Sequence, residues 1–248
     1  MKYFMVFLCA FGGTAVLGQD EVILTTIEEH PWQVSLETHG VHHCGGALIS
    51  LEWVVTSASC LANVADRVTV RAGVTFLGHG GQTRRVAFAK IPHGYKLGSL
   101  KSNIAVLRVD YPFFGTDQVW PVPLPEPEPD GEYPGRFIFE ISTTGWHFEE
   151  AKTKAHGQLM EIQPVVRSHY VCNQIYRKPI PSSVFCAGEH YGNLCRRDLG
   201  NPATNDNRLV GVLIWGCDAD SSHPPLYSSV PHYVNWISNV TGIDYQPE

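Results

Sequence analysis

The sequence predicts an all-β protein, either a barrel or a sandwich, with one short helix near its end. Many short segments are β-branched or alternate between apolar and polar residues, and clusters of Gly, Asn, Asp and His separate them. The length of 248 residues fits one large all-β domain or two small ones. A proline-rich stretch over 121–134 divides the chain into two strand-rich halves.

Both halves contain segments that are typical of strands. In the first half the predicted strands alternate or are rich in β-branched residues, and one is a short apolar run. The predicted strands are 32–36, 53–56, 68–70 and 104–107 in the first half and 137–141 and 209–215 in the second.

Alternating proline in 121–134 favours extended polyproline II and removes backbone donors from any ladder. We interpret 121–135 as a stiff linker between a first barrel or sandwich half, 19–120, and a second, 136–230. The remaining segment, 231–248, predicts a short C-terminal helix and tail.

The predicted C-terminal helix has a proline, Pro231, that suits its first position. Its apolar residues fall on one face, which contains Tyr233, Trp236, Ile237 and Val240. Asn239 of the glycosylation sequon Asn239-Val240-Thr241 lies off this face, so a glycan would be tolerated there.

Residues 1–18 predict a secretory signal peptide. Lys2 supplies the positive charge, 3–11 is an apolar run too short to span a membrane, and polar Gln19 follows the signal at once. We therefore expect a secreted, extracellular domain over 19–248. The formal net charge of −6 becomes more negative without Lys2, which argues against nucleic acid as a partner.

Six of the seven cysteines remain once Cys9 is removed with the signal. An even number in a secreted chain predicts disulfides, although the residues alone leave the pairing open. No CxxC pair occurs, which argues against structural zinc, and we expect neither a metal nor a cofactor.

The stretch 195–202 has the outline of a nucleophile loop. Asp198 precedes the reactive position, and Gly200 and Pro202 follow it in a tight turn. The reactive position itself is Leu199, which carries no oxygen or sulfur and cannot attack a carbonyl. The stretch therefore predicts an enzyme scaffold without its chemistry.

Six ordered motifs resemble those of the chymotrypsin-like (trypsin-like, S1) serine proteases over essentially the whole mature chain. The motifs are 31–36, 44–49, 56–60, 103–107, 144–146 and 214–216. The resemblance implies two six-stranded β-barrels with an active cleft between them and a C-terminal helix. It also implies three disulfides, Cys44–Cys60, Cys172–Cys186 and Cys195–Cys217.

In that family a serine attacks, a histidine removes its proton, and a buried aspartate orients the histidine. The resemblance assigns the base position to Ser59, the orienting position to Asn103 and the nucleophile position to Leu199. None of these side chains can perform its role, so we expect no catalytic residue and no enzyme activity.

The resemblance also assigns the parts around the triad. The oxyanion-hole glycine is replaced by Arg197, whose backbone is more restricted. The specificity-pocket positions are Asn193, Ile214, Trp215, Gly216 and Pro225. Bulkier residues among them are expected to shrink or close the pocket, through either neutral drift or a new use.

Activation in the family frees an amine that pairs with the aspartate before the serine, here Asp198. No Lys or Arg precedes Arg67 in the mature chain, so trypsin-like activation has no site. We hypothesise that Asp198, His42 and Ser35 form the lock that the family's precursors use. The alternative partners of Asp198 are the neighbouring Arg196 and Arg197.

The chain is therefore predicted to be a secreted non-catalytic protease homologue that acts by binding, as a cofactor, decoy or regulator in an extracellular proteolytic or immune pathway. We expect a monomer whose partner is an extracellular protein, such as an active protease, its substrate or its inhibitor, and neither nucleic acid nor membrane. One alternative is a hydrolase with a rearranged site, near the cluster of His39, His42 and His43. Another is a secreted structural or storage protein.

Overall fold

The computed structural model describes residues 22–62, 67–128, 138–146, 157–188, 198–216 and 223–245. The strands are β1 (Ile23–Leu24), β2 (Gln33–Thr38), β3 (Val41–Leu48), β4 (Trp53–Thr56), β5 (Val68–Ala72), β6 (Gln82–Lys90), β7 (Ala105–Val109), β8 (Ser142–Gly145), β9 (Met160–Ile162), β10 (Val184–Cys186), β11 (Pro202–Asn205), β12 (Arg208–Trp215) and β13 (Leu226–Ser229). The helices are a 3-10 helix (Ala58–Leu61), α1 (His169–Tyr176) and α2 (Val230–Thr241). Within these ranges, every helix is too short or too polar to cross a membrane.

The first barrel closes in the order β2-β3-β4-β7-β6-β5, with antiparallel neighbours. Four of its strands, β2, β4, β5 and β7, form where the sequence predicted strands in the first half, whereas no strand was predicted over β6. In β5 the burial alternates, so that Val68, Val70 and Ala72 point into the core. They pack there against residues such as Leu36 and Leu107.

The second sheet runs β1-β9-β8-β11-β12-β13-β10. Six of these strands, β8 to β13, correspond to the predicted second barrel, and the short β1 adds to its edge by pairing with β9. An isolated bridge between Val166 and Ala187 joins the chain after β9 to the chain after β10. The all-β, chymotrypsin-like double-barrel fold expected from the sequence is therefore confirmed.

The predicted strand over 137–141 is wrong. Phe137 lies outside the described residues, and the rest of the segment forms only one isolated bridge, between Glu140 and Val165. Ile138 and Ile141 are both buried although they are three positions apart, whereas a strand buries every second side chain. The regular strand of this region is β8, which follows directly.

The described part of the proline-rich segment, 121–128, contains no helix or strand but is packed against both barrels. The Val122 N–H donates to the Leu48 carbonyl at 2.9 Å, and the Leu209 N–H donates to the Pro123 carbonyl at 3.1 Å. Since these bonds reach β3 and β12, the segment ties the halves together. The domain limits given above stay a prediction.

Helix α2 packs on the seam between the barrels, in an apolar cluster that includes Val106 of the first barrel and Val212 of the second. Ser229 caps it, and Pro231 is its second residue, one position later than predicted. Ile237 is fully buried and Asn239 is exposed, as the amphipathic pattern indicated.

Candidate functional site

Ser59 and Asn103, the predicted base and orienting positions, contact each other directly. The Ser59 backbone N–H, in the 3-10 helix, donates a 2.9 Å hydrogen bond to Asn103 Oδ1. Asn103 is buried just before β7, and its carbonyl accepts from Ser228 Oγ at 2.9 Å. The Asn103 side-chain oxygen therefore accepts from a backbone donor and fixes the position of the 3-10 helix.

The hydroxyl groups beside this contact are also engaged. Ser59 Oγ lies 2.8 Å from Ser57 Oγ, which is buried against Cys60 Sγ at 3.1 Å. His43 reaches the same helix, but its Nδ1 pairs with Thr38 Oγ1 at 3.1 Å and its Nε2 with the Cys60 carbonyl at 3.2 Å. Because both ring nitrogens are engaged, His43 does not face either serine as a general base.

Leu199 contacts Cys60 in the 3-10 helix that also contains Ser59, and Ser59 in turn contacts Asn103. The Leu199 carbonyl accepts from the Gly45 N–H at 2.8 Å and lies 3.3 Å from Cys60 Sγ. Its half-buried side chain packs against the apolar cores of both barrels. The predicted nucleophile position is therefore filled by a hydrocarbon that joins the two cores.

Gly200 allows the loop after Leu199 to approach the first barrel. Its φ of 86° lies in the left-handed region. A Cβ there would collide with the Gly45 carbonyl and the Thr56 hydroxyl. Glycine is thus required both for the backbone conformation and for the close packing.

Asp198 is fully buried and belongs to a polar network that crosses between the barrels. Its Oδ1 accepts from the Trp146 backbone N–H at 3.2 Å and from Asn201 Nδ2 at 3.0 Å. Asn201 Oδ1 accepts from Gln33 Nε2 at 2.9 Å, and Gln33 Oε1 accepts from Thr144 Oγ1 at 2.6 Å. A buried carboxylate requires such donors, and this network supplies two of them.

The predicted lock is present in part. Ser35 Oγ and His42 Nδ1 lie 2.8 Å apart, and both side chains are buried. The His42 ring packs edge-on against Trp146, with 5.3 Å between ring centroids. The Trp146 backbone N–H also bonds to Asp198, so His42 and Asp198 contact the same tryptophan. A direct contact between His42 and Asp198 stays a prediction.

The described specificity-pocket positions differ in exposure. Ile214 is buried in a cluster near the end of the second barrel, whereas Trp215 is 42% exposed. Pro225 is buried, its carbonyl accepts from the Ala187 N–H at 3.3 Å, and Gly216 is half-buried. Five residues that the sequence analysis assigned to the site lie outside the described residues, so the size of the specificity pocket is still a prediction. They are Asn193, Cys195, Arg196, Arg197 and Cys217.

Two of the implied disulfides, Cys44–Cys60 and Cys172–Cys186, are formed as predicted. The third, between Cys195 and Cys217, falls outside the described residues. Across the described part of the chain, no three His, Cys, Asp or Glu side chains are placed to hold a metal ion.

Sequence reasoning missed the network partners of Asp198, namely Asn201, Gln33 and Thr144. Gln33 and Thr144 were noticed only as parts of strand motifs. The available signal was a polar residue inside an otherwise apolar strand, but the sequence does not show which distant polar residue completes the bond.

Comparison with known proteins agrees with this architecture. The Trypsin family model matches residues 23–237. Transmembrane protease serine 11G of Rattus norvegicus is 36% identical over 86% of this chain and 53% of its own length, so the chain spans about half of that relative. Hypodermin-A of Hypoderma lineatum is 31% identical over 98% of this chain and 100% of its own length.

A solved structure shows the same fold. The scabies mite inactivated protease paralogue S-D1 superposes with a TM-score of 0.77 and 24% sequence identity. The match covers 91% of this chain and 98% of that chain.

Proposed function

The chain belongs to the trypsin family, and from this premise we propose that it is a secreted, non-catalytic serine protease homologue that works by binding other proteins. The observation that carries the proposal is Leu199, whose hydrocarbon side chain packs against both barrel cores and whose carbonyl lies against Cys60, the chain neighbour of Ser59. Cleavage in this family needs an attacking oxygen, a proton acceptor and an orienting carboxylate in these roles. The three side chains offer a hydrocarbon, an alcohol and an amide instead.

The expected loss of activity is very large. Replacing the triad aspartate by asparagine alone lowers turnover about 10⁴-fold in the worked example of this mechanism. Removing the nucleophile or the base costs on the order of 10⁶-fold in a protease with the same triad chemistry. With all three roles unfilled, no acyl-enzyme route is expected.

A hydrolase with a rearranged site is the main alternative. It would need a histidine nitrogen facing Ser57 or Ser59, because an isolated alcohol is a weak nucleophile. The described contacts of His43 run to Thr38 and to the Cys60 backbone instead. These contacts favour the binding role over a rearranged catalytic site.

The proposal includes a precursor-like lock made of Asp198, His42 and Ser35. The bond between Ser35 and His42 and the shared contacts of His42 and Asp198 with Trp146 support it. The lock would hold the loop before Leu199 in an inactive arrangement even if a nucleophile were restored. A structure of the secreted protein with its N-terminal amine on Asp198 would rule the lock out.

Labelling with a fluorophosphonate probe tests the loss of catalysis. The purified protein and active trypsin are treated side by side, and hydrolysis of a peptide ester is followed in parallel. We expect trypsin to be labelled and this protein to show neither label nor turnover. Stoichiometric labelling that disappears in a Ser57→Ala or Ser59→Ala variant would overturn the proposal, whereas activity that persists in both would come from a contaminant.

The binding role is tested by affinity capture from the native extracellular fluid. The exposed sequon at Asn239 and the two disulfides suit a secreted protein. We expect one stoichiometric partner, such as an active protease, its substrate or its inhibitor. Failure to retain any stoichiometric partner, together with high abundance, would instead favour a storage or structural role.

A further inference from the structure

Positive charge is concentrated in one stretch of the first barrel. Residues 67–108 contain eight Lys or Arg residues and no Asp or Glu, whereas the whole chain has a formal net charge of −6. The stretch includes β5, β6 and β7, which are neighbours in the closed barrel. These three strands and their connections therefore form a basic side on an acidic protein, and such a side attracts partners of opposite charge.

A groove of about 690 Å³ opens on this side of the barrel. It is lined by 83–85 and 110–114 together with Thr69, so it lies where β6 begins and where the chain leaves β7. Its volume falls within the range of ligand sites. Arginines and aromatic rings share its lining, and we call it the arginine–aromatic groove.

Two large aromatic side chains of the groove remain exposed to solvent. Tyr111 is 71% exposed and Phe114 is 74% exposed, whereas Phe113 is buried in the core of the barrel. Tyr and Arg are enriched among the residues that contribute most to the affinity of protein interfaces. Exposed apolar side chains that lie together, and not singly, are typical of an interaction surface.

Phe114 is held in place although it is exposed. Its backbone N–H donates to Gln82 Oε1 at 2.8 Å, and its carbonyl accepts from Gln82 Nε2 at 2.8 Å. Arg84 Nε donates to the Pro112 carbonyl at 3.2 Å, and the guanidinium carbon of Arg84 lies 5.8 Å from the centre of the Phe114 ring. A surface that is ordered before binding loses less conformational entropy when a partner arrives.

Arg85 supplies a cation that the described part of the chain does not neutralise. Its side chain is exposed and makes no hydrogen bond or ion pair with a described residue. Its backbone N–H donates to Asp110 Oδ1 at 3.1 Å, and the same oxygen accepts from the Tyr111 N–H at 3.1 Å. Asp110 is the single carboxylate among the described lining residues, and it accepts from backbone donors. The Arg85 guanidinium is therefore accessible to an acidic group of a partner.

The basic surface continues from the groove along β6 and β7. Arg108 pairs with Phe88 across the two strands, and Lys90 follows Phe88 on the same face. Both cations are exposed, and the Arg108 guanidinium lies 5.9 Å from the centre of the Trp53 ring. Arg85 and Lys90 are separated by roughly 15 Å in an extended strand. A segment of about five extended residues spans that distance.

We propose that the arginine–aromatic groove binds an extended acidic segment of a protein partner, with a carboxylate on Arg85 and apolar side chains on Tyr111 and Phe114. Pairs of arginine and carboxylate form strong charge-assisted hydrogen bonds. A sulfated polysaccharide would satisfy the cations but offers no apolar side chain to the two rings. The inference rests on the proposed binding role, for which it names the surface and the chemistry of the partner.

Calorimetric titration of the intact protein tests the groove. The probes are three blocked hexapeptides, of alternating Glu and Leu, Gln and Leu, and Glu and Gly. We expect saturable one-to-one binding of the Glu–Leu peptide that weakens as salt is added, and at least tenfold weaker binding of the other two. Equal binding of the Gln–Leu peptide, or no saturation by the Glu–Leu peptide, would overturn the proposal. A heparin fragment of equal charge that displaces the peptide and binds more tightly would also overturn it.

Matched variants locate the binding. Arg85→Gln and Phe114→Ala should each weaken binding of the Glu–Leu peptide roughly tenfold, because each removes one anchor. Both side chains are exposed, so both variants should fold. Lys178→Gln and Phe139→Ala, which change exposed residues of the second half, should leave the affinity unchanged. Unchanged affinity in Arg85→Gln would refute the assignment of the groove.

Affinity capture from the native extracellular fluid connects the groove with the proposed function. The wild type is compared with the double variant Arg85→Gln, Phe114→Ala. We expect the wild type to retain its partner and the double variant to lose most of it. Equal retention by both would mean that the binding role stands and the groove assignment is wrong. If the wild type retains no partner, the binding role fails, and the peptide titration decides the groove by itself.

Discussion

The predicted triad region and the acidic pocket, which is lined by residues that include Glu29, His30, Glu140, Glu161 and Asp206, differ in how their polar groups are satisfied. In the triad region the Ser59 hydroxyl, the Asn103 side-chain oxygen and the Leu199 carbonyl each have a partner, and the Leu199 side chain packs against both apolar cores. In the acidic pocket, Glu161 accepts from Ser142 and Gln163, and the side chains of Glu140 and Asp206 are exposed to solvent. Buried polar groups need partners inside the protein, whereas exposed carboxylates are satisfied by water.

The largest expected effect comes from the buried carboxylate of the triad region. Asp198→Asn leaves the donors of Trp146 and Asn201 facing an amide, so we expect a loss of about 3 kcal/mol in the free energy of unfolding. Chemical denaturation measures it, with the exposed Asp244→Asn as the control. A loss equal to that of the control would mean that the Asp198 network does not hold the region together.

A smaller effect is expected from the side chain that fills the nucleophile position. Leu199→Ala removes contacts with both apolar cores, so we expect a loss of about 2 kcal/mol, at the lower end for a leucine because the residue is half-buried. Leu97→Ala is the matched control, since Leu97 is 70% exposed. If both variants are equally stable in thermal unfolding, Leu199 is not part of the structural core.

The smallest effect concerns pH and the acidic pocket. Burial lowers the pKa of His30 in the folded state, with Trp32 packed on it and Glu161, Glu29, Glu140 and Asp206 around the pocket. The unfolded chain therefore takes up a proton first as the pH falls below about 6.5, and the fold loses stability there. The lowered pKa of Glu161 adds a loss in the same direction at more acidic pH.

His30→Gln removes the histidine titration, so its melting temperature should depend less on pH between about 7 and 5 than that of the wild type. The matched control is His79→Gln, because His79 is exposed. A wild-type melting temperature that rises as the pH falls through this window would contradict the burial of a neutral His30.

Sequence patterns predicted strands correctly where a local property of the segment decides its structure. The β-branched segments 53–56 and 68–70 became β4 and β5; burial alternates in β5, whereas the last three residues of β4 are all buried. The prediction of a strand over 137–141 was wrong, because Ile138 and Ile141 are buried in an apolar cluster of the second half while the described part of the segment forms only an isolated bridge. The Asp198 network could not be predicted, since its members are as far apart in sequence as Gln33 and Asn201.

The sequence by itself determined which atoms are present: a leucine, a serine and an asparagine at the three predicted triad positions, and no Lys or Arg between Lys2 and Arg67. It could do so because the residue type alone fixes which atoms a side chain carries. Only the tertiary structure decided that Glu161, Glu140 and Asp206 share one pocket with a buried His30. Whether a charge is balanced depends on which distant strands the fold brings together, and that information is absent from any local stretch of the chain.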